Sequence, residues 1–183
     1  GEHNVLNALA SFVTASYLGA ETDVIAETLA EYKGTGRRFD VNGTTDNGVK
    51  VIDDYAHHPT EIKATLSAAA NVKHKKLWLI FQPHTYTRTK ALFDEFVDAF
   101  EGADVLVLTD IYAAREKDVY NVSSYKLMNA IKAKYPDREV YYVKDFEDIV
   151  KYIEKFAAEG DIVMTMGAGD IYKVGDMLLH KDE

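Results

Sequence analysis

The chain has 183 residues, 47% of them hydrophobic, enough to bury the core of one domain or slightly more. Its formal charge of −9 argues against general affinity for nucleic-acid backbones, and the lack of cysteine excludes disulfide and thiolate chemistry. No run of about 18 apolar residues marks a membrane span, and Gly1-Glu2-His3-Asn4 does not open a basic-then-apolar leader, so the expectation is a cytoplasmic protein.

Residues 3–18 place Val5, Leu6, Leu9, Phe12, Val13 and Tyr17 at helical spacing up to Gly19. A second short helix is predicted over 22–32, with Thr22 as N-cap and Val24, Ile25 and Leu29 on one face, before Gly34-Thr35-Gly36 breaks the pattern. Residues 39–41 and 49–52 read as the strands of a hairpin around the Gly-bearing loop 42–48. Strands and helices then alternate: helix 59–71, strand 77–81, helix 90–100, strand 104–108, helix 123–135, strand 140–143, helix 146–158, strand 161–165 and helix 171–179. Continuous apolar strands between helices predict an α/β fold, a mostly parallel sheet with helices on both faces, preceded by a short helical segment. The first 33 residues carry no strand. They read either as the tail of a preceding domain or as a helical extension packed on its own sheet.

Chemistry concentrates in two loops. Asp53-Asp54-Tyr55-Ala56-His57-His58-Pro59-Thr60-Glu61 joins a strand to a helix that starts at Pro59, where a missing N–H costs nothing. In open α/β sheets such turns, at the carboxyl ends of strands, hold ligands. With His58 as N-cap, both imidazoles sit at the positive end of a helix, which favours their neutral form. Asp53 and Asp54 are candidates to hold a metal-bound water, a ribose or an amine; the plainer alternative is that these groups only cap a helix and a turn. A zinc site from His57, His58 and His84 is disfavoured, because adjacent histidines are awkward ligands of one ion. The second loop is Phe81-Gln82-Pro83-His84-Thr85-Tyr86-Thr87-Arg88-Thr89-Lys90. Arg88 can clamp a carboxylate with its planar fork, and cations at a helix start hint at an anionic ligand. A single crossover separates the two strands, so they are expected to be neighbours with both loops at one sheet edge. No phosphate loop of the G-x-x-x-x-G-K-[ST] type occurs. Gly167-Ala168-Gly169 follows a strand and precedes a helix; its amides could face an anion or simply make a tight turn. Residues 112–124 form a long polar connection with no assigned role.

Five segments, in order, resemble the carboxy-terminal part of the Mur ligase family: Gly1-Glu2-His3-Asn4-Val5-Leu6-Asn7, Gly36-Arg37-Arg38-Phe39, Asp53 through Glu61, Phe81 through Thr89, and Gly167-Ala168-Gly169-Asp170-Ile171. The resemblance is strongest to members that join L-alanine to UDP-N-acetylmuramate in peptidoglycan synthesis. It implies that 1–33 is the helical tail of a central ATP-binding domain and 34–183 the whole of a Rossmann-like, amino-acid-binding domain, with the N-terminal domain and the rest of the central domain as its partners in the same protein. ATP with Mg²⁺, bound mainly upstream, would phosphorylate the sugar carboxylate, and the amine of alanine would attack the acyl phosphate; the segment alone is expected to be inactive. The resemblance further implies that His3 and Asn4 lie at the adenine, that Arg38 and Asp54 reach phosphate or ribose, and that Tyr55 packs on the base. His57 and Arg88 would hold L-alanine, with His84 and Thr85 beside them. Thr85 is a departure, since some members carry a second arginine there. Two alternatives remain open: another ligase of the family acting on the same sugar, and a non-catalytic α/β module binding a small anion.

Overall fold

The computed structural model describes residues 2–32 and 35–180, with side chains from residue 5 onward. It divides into two compact units, residues 1–35 and 36–183. The first holds α1 (Glu2–Tyr17) and α2 (Thr22–Glu31). The N-cap of α2 is Glu21 and not Thr22, which already has helical geometry; Glu21 makes no side-chain cap bond.

The second unit is a six-stranded sheet of order β1-β2-β6-β3-β4-β5. Its strands are β1 (Asp40–Thr44), β2 (Lys50–Asp54), β3 (Leu77–Phe81), β4 (Val105–Leu108), β5 (Glu139–Tyr142) and β6 (Ile162–Met166). Only the β1–β2 hairpin is antiparallel; β2–β6, β6–β3, β3–β4 and β4–β5 are parallel. Gly48 closes the hairpin at φ +82, a left-handed conformation that costs glycine little. The expected β2–β3 adjacency is wrong: β6 lies between them. Crossover direction follows from local handedness, whereas the slot a strand takes depends on burial of the whole set. All five residues of β6, like all five of β3, are buried, which suits the sheet centre.

Helices cover both faces. One face packs Ile52, Leu79, Phe81 and Met164 against α3 (Pro59–Ala69), α5 (Phe93–Val97) and α6 (Ser124–Lys134) through Ile62, Leu66, Phe96 and Leu127. The other packs Val51, Trp78, Ile80 and Val163 against α7 (Phe146–Phe156) and α8 (Tyr172–Leu178) through Ile149, Ile153 and Val174. The helix expected over 90–100 is instead two short ones, α4 (Tyr86–Ala91) and α5, separated by Leu92 at φ −109, ψ 22. None of the described helices is long and apolar enough to cross a membrane.

Candidate functional site

The loops after β2, β3, β4 and β6 meet at the carboxyl edge of the sheet. Although β2 and β3 are not neighbours, β6 is one strand wide, and the two loops still approach: the rings of His57 and His84 stand 6.0 Å apart, edge to face.

The first loop is shaped by α3. His58 is its N-cap, with Nδ1 accepting from the Thr60 N–H at 3.3 Å. Glu61 returns the bond, one carboxylate oxygen accepting from the amides of His57 (3.1 Å) and His58 (3.2 Å). This capping box holds the histidine turn rigid. Burial alone would raise the Glu61 pKa, but the two amides and the nearby His57 and Arg38 charges bring it below the ordinary glutamate value. His57 Nδ1 lies 2.9 Å from the Tyr55 carbonyl oxygen. A carbonyl only accepts, so Nδ1 carries the proton, and in the neutral ring Nε2 presents a lone pair.

The second loop holds Arg88. Its Nη1 donates to the His84 carbonyl at 2.8 Å and meets His84 Nδ1 at 3.1 Å. Arginine cannot accept, so the His84 ring accepts there and is neutral, with its proton on Nε2. Burial, then the charges of Arg88 and His57, push the His84 pKa below the usual histidine value, in agreement. Both bonds use Nη1; among the described residues the other edge of the guanidinium has no acceptor, and it is able to grip a carboxylate. Arg88 and Lys90 do not oppose the helix dipole and so give no sign of an anion through it: α4 has six residues, and both cations lie in its last turn, where they are favourable. Thr85 is the N-cap of α4 but makes no side-chain cap bond; its hydroxyl meets that of Thr87 at 3.1 Å.

The acids at the end of β2 face inward. Asp54 accepts from the amides of Phe39 and Ala56, each at 2.8 Å, and is 7% exposed. Its burial raises the carboxyl pKa, the backbone bonds opposing the rise. Asp53, 1% exposed, accepts from Thr165 Oγ1 and Arg37 Nε, each at 2.7 Å. Arg37 also donates to the carbonyls of Gly167 (2.8 Å) and Gly169 (3.2 Å), and its guanidinium lies 5.0 Å from the Tyr55 ring centroid and 4.7 Å from that of Tyr172. Arg37 is therefore the tie that draws the loops after β2 and β6 together. Arg38 is exposed and Tyr55 38% exposed. The Gly167–Gly169 turn reads as a tight turn: its first amide donates to the Asp54 carbonyl at 3.0 Å, and its carbonyls are held by Arg37. Gly169 is needed for space, since a Cβ there would lie 2.3 Å from Gln82 Oε1 and 2.7 Å from the Tyr112 ring. The side chains of His3 and Asn4, in the first turn of α1, lie outside the described residues.

The family profile described as Mur ligase, glutamate ligase domain, matches residues 37–169, from the Arg37 tie to the Gly169 turn. The chain belongs to the Mur ligase family. The UDP-N-acetylmuramate–L-alanine ligase of Caldanaerobacter subterraneus subsp. tengcongensis is 51% identical over 183 residues, which is all of this chain and 39% of that protein. The enzyme of the same name from Lachnospira eligens is 53% identical over 98% of this chain and 38% of its own length. The crystal structure of UDP-N-acetylmuramate-alanine ligase from Thermotoga maritima superposes with a TM-score of 0.78 at 31% identity, covering 99% of this chain and 38% of that one. This chain thus spans under two fifths of the length of these Mur ligases. Within the Mur ligase frame, Arg37 is the residue that sequence reasoning missed. Arg37-Arg38 offers two equal cations, and only the left-handed backbone at Arg37 (φ 59) and Phe39 (φ 49) decides which one turns inward.

Proposed function

We propose that this chain is the amino-acid-binding end of an ATP-dependent ligase that joins L-alanine to UDP-N-acetylmuramate, with residues 1–33 as the tail of its ATP-binding domain. The observation that carries the reading is the grouping of His57, His84 and Arg88: the two imidazoles stand 6.0 Å apart and Arg88 is bonded to His84. Arg88 offers one guanidinium edge for the alanine carboxylate, and His84 holds the other edge in place. His57 Nε2, its lone pair set by the Nδ1 bond to Tyr55, orients the alanine amine, which attacks only when uncharged. Holding carboxylate and amine together makes the attack effectively intramolecular.

The residues here fit an edge contact to the nucleotide and no more. Arg38 supplies an exposed cation beside Glu61, and Tyr55 an exposed aromatic face. The Gly167–Gly169 turn is already engaged, and no group of three His, Asp or Glu among the described residues is placed to hold a metal. ATP, with Mg²⁺, would activate the sugar carboxylate from the part of the protein upstream. The exposed apolar face of α1, with Val5, Leu6, Leu9 and Val13 all above half exposure, supports a preceding domain that covers it. The test is phosphate release by the full-length polypeptide given ATP, Mg²⁺ and UDP-N-acetylmuramate. Release that requires L-alanine, and is poor with other amino acids, is expected. A folded protein with no amino-acid-dependent release would put the small-anion module first, whereas release that depends on another amino acid or a peptide would point to a sibling ligase acting on the same sugar.

A further inference from the structure

The connection between β4 and α6, to which the sequence assigns no role, leans on the clamp at two points. The Tyr112 ring stacks on His84 at 5.5 Å and 12°, with the Tyr112 amide donating to the Pro83 carbonyl at 2.8 Å. Four residues on, the Glu116 carboxylate accepts from the Thr87 amide at 2.9 Å and from the Thr87 hydroxyl. Between them Ala114 is left-handed at φ 52, a conformation that an alanine keeps only where the surroundings over-determine it.

Resting on the ligase reading above, we propose that Glu116 is a positioning residue: it anchors the first turn of α4 so that Arg88 presents its open guanidinium edge to the alanine carboxylate beside His57. A helix of six residues is too short to be stable by itself, because the entropy cost of fixing its first turn outweighs the few hydrogen bonds it can form. Its N-cap, Thr85, makes no side-chain cap bond to a backbone amide of the turn. Glu116 supplies the missing acceptor from outside the helix, and its negative charge suits the positive end. Thr87 is the residue directly before Arg88, so whatever holds the Thr87 amide also sets the direction in which Arg88 leaves the backbone. His84, bonded to Arg88 and stacked on Tyr112, fixes the other side. The connection therefore acts through Arg88 and need not touch the substrate. It also compensates for Thr85: a single arginine without a second beside it depends more on its own orientation.

The experiment is a double-mutant cycle in the full-length protein, following phosphate release. Glu116→Ala should raise the L-alanine KM about fivefold or more, with the KM for ATP and for UDP-N-acetylmuramate within about twofold of wild type. Glu116→Gln, which keeps one acceptor, should recover part of the loss. In an Arg88→Ala background, Glu116→Ala should lower kcat/KM for L-alanine no further, because the residue acts through Arg88. Additive losses, an equal rise in all three KM values with a lower Tm, or a Glu116→Ala enzyme like wild type would each overturn the role. If the unaltered protein shows no L-alanine-dependent release, the ligase reading itself fails and this proposal falls with it. If release is normal and Glu116→Ala is silent, only the role of Glu116 is lost.

Discussion

Arg37 and Arg38 are adjacent at this sheet edge, yet the first is half-buried and the second exposed. Arg37 is spent on the fold: it neutralises Asp53, whose side chain is 2% exposed, and ties down two glycine carbonyls. Arg38 beside it is exposed. Arg37→Ala would leave the buried Asp53 with Thr165 as its partner and free both carbonyls. A loss of about 3–5 kcal/mol in urea unfolding is expected, since removing one member of a buried pair strands the other. A loss below about 1 kcal/mol would mean that Arg37 does not hold the loops together. Asp54 belongs with Arg37: with both carboxylate oxygens on backbone amides, it shapes the turn before Ala56.

At the level of elements, α3 is the best-specified helix, and its sequence announces it. Pro59 at the first position, His58 before it and Glu61 three residues on form a reciprocal cap. Glu61→Ala removes the acceptor for two amides and should cost about 1 kcal/mol. Because the folded Glu61 pKa lies below its ordinary value, its contribution is present above that value and disappears as pH falls through the lowered one. Wild-type stability should therefore converge on that of the mutant on acidification, as unfolding curves at stepwise lower pH would show; a constant gap would contradict it. By contrast, α4 and α5 merge into one predicted helix because their break at Leu92 has no Gly or Pro to mark it. The Arg88–Lys90 pattern suffered from the same cause: with the helix start misplaced by four residues, a favourable last-turn cation looked like an unfavourable first-turn one.

For the molecule as a whole, the division at residue 35 carries a consequence. Both apolar clusters lie entirely within 36–183. A polypeptide of those residues alone should unfold in one cooperative urea transition, with near-UV signal and far-UV helicity lost together. Non-coincident transitions would show that the first 35 residues are needed for its core. A peptide of 1–35 should be only partly helical by itself, since helices of 16 and 10 residues are marginal in water without an apolar partner.

The α/β class, the alternation of strands and helices and the two polar loops were all legible in the chain, because each rests on periodicity, caps and composition within about ten residues. The proximity of the proposed clamp residues was legible in part: His57, His84 and Arg88 stand in compact motifs, and the fold brings the two imidazoles within 6.0 Å with Arg88 bonded to His84. Three things needed the tertiary structure. The place of β6 between β2 and β3 is decided by burying the most apolar strands at the centre of the sheet, which no local pattern encodes. The choice of Arg37 over Arg38 depends on two left-handed residues and on carbonyls about 130 positions away. The reach of Glu116 to Thr87, across 29 residues, exists only because β3 and β4 lie side by side and deliver their loops to the same edge.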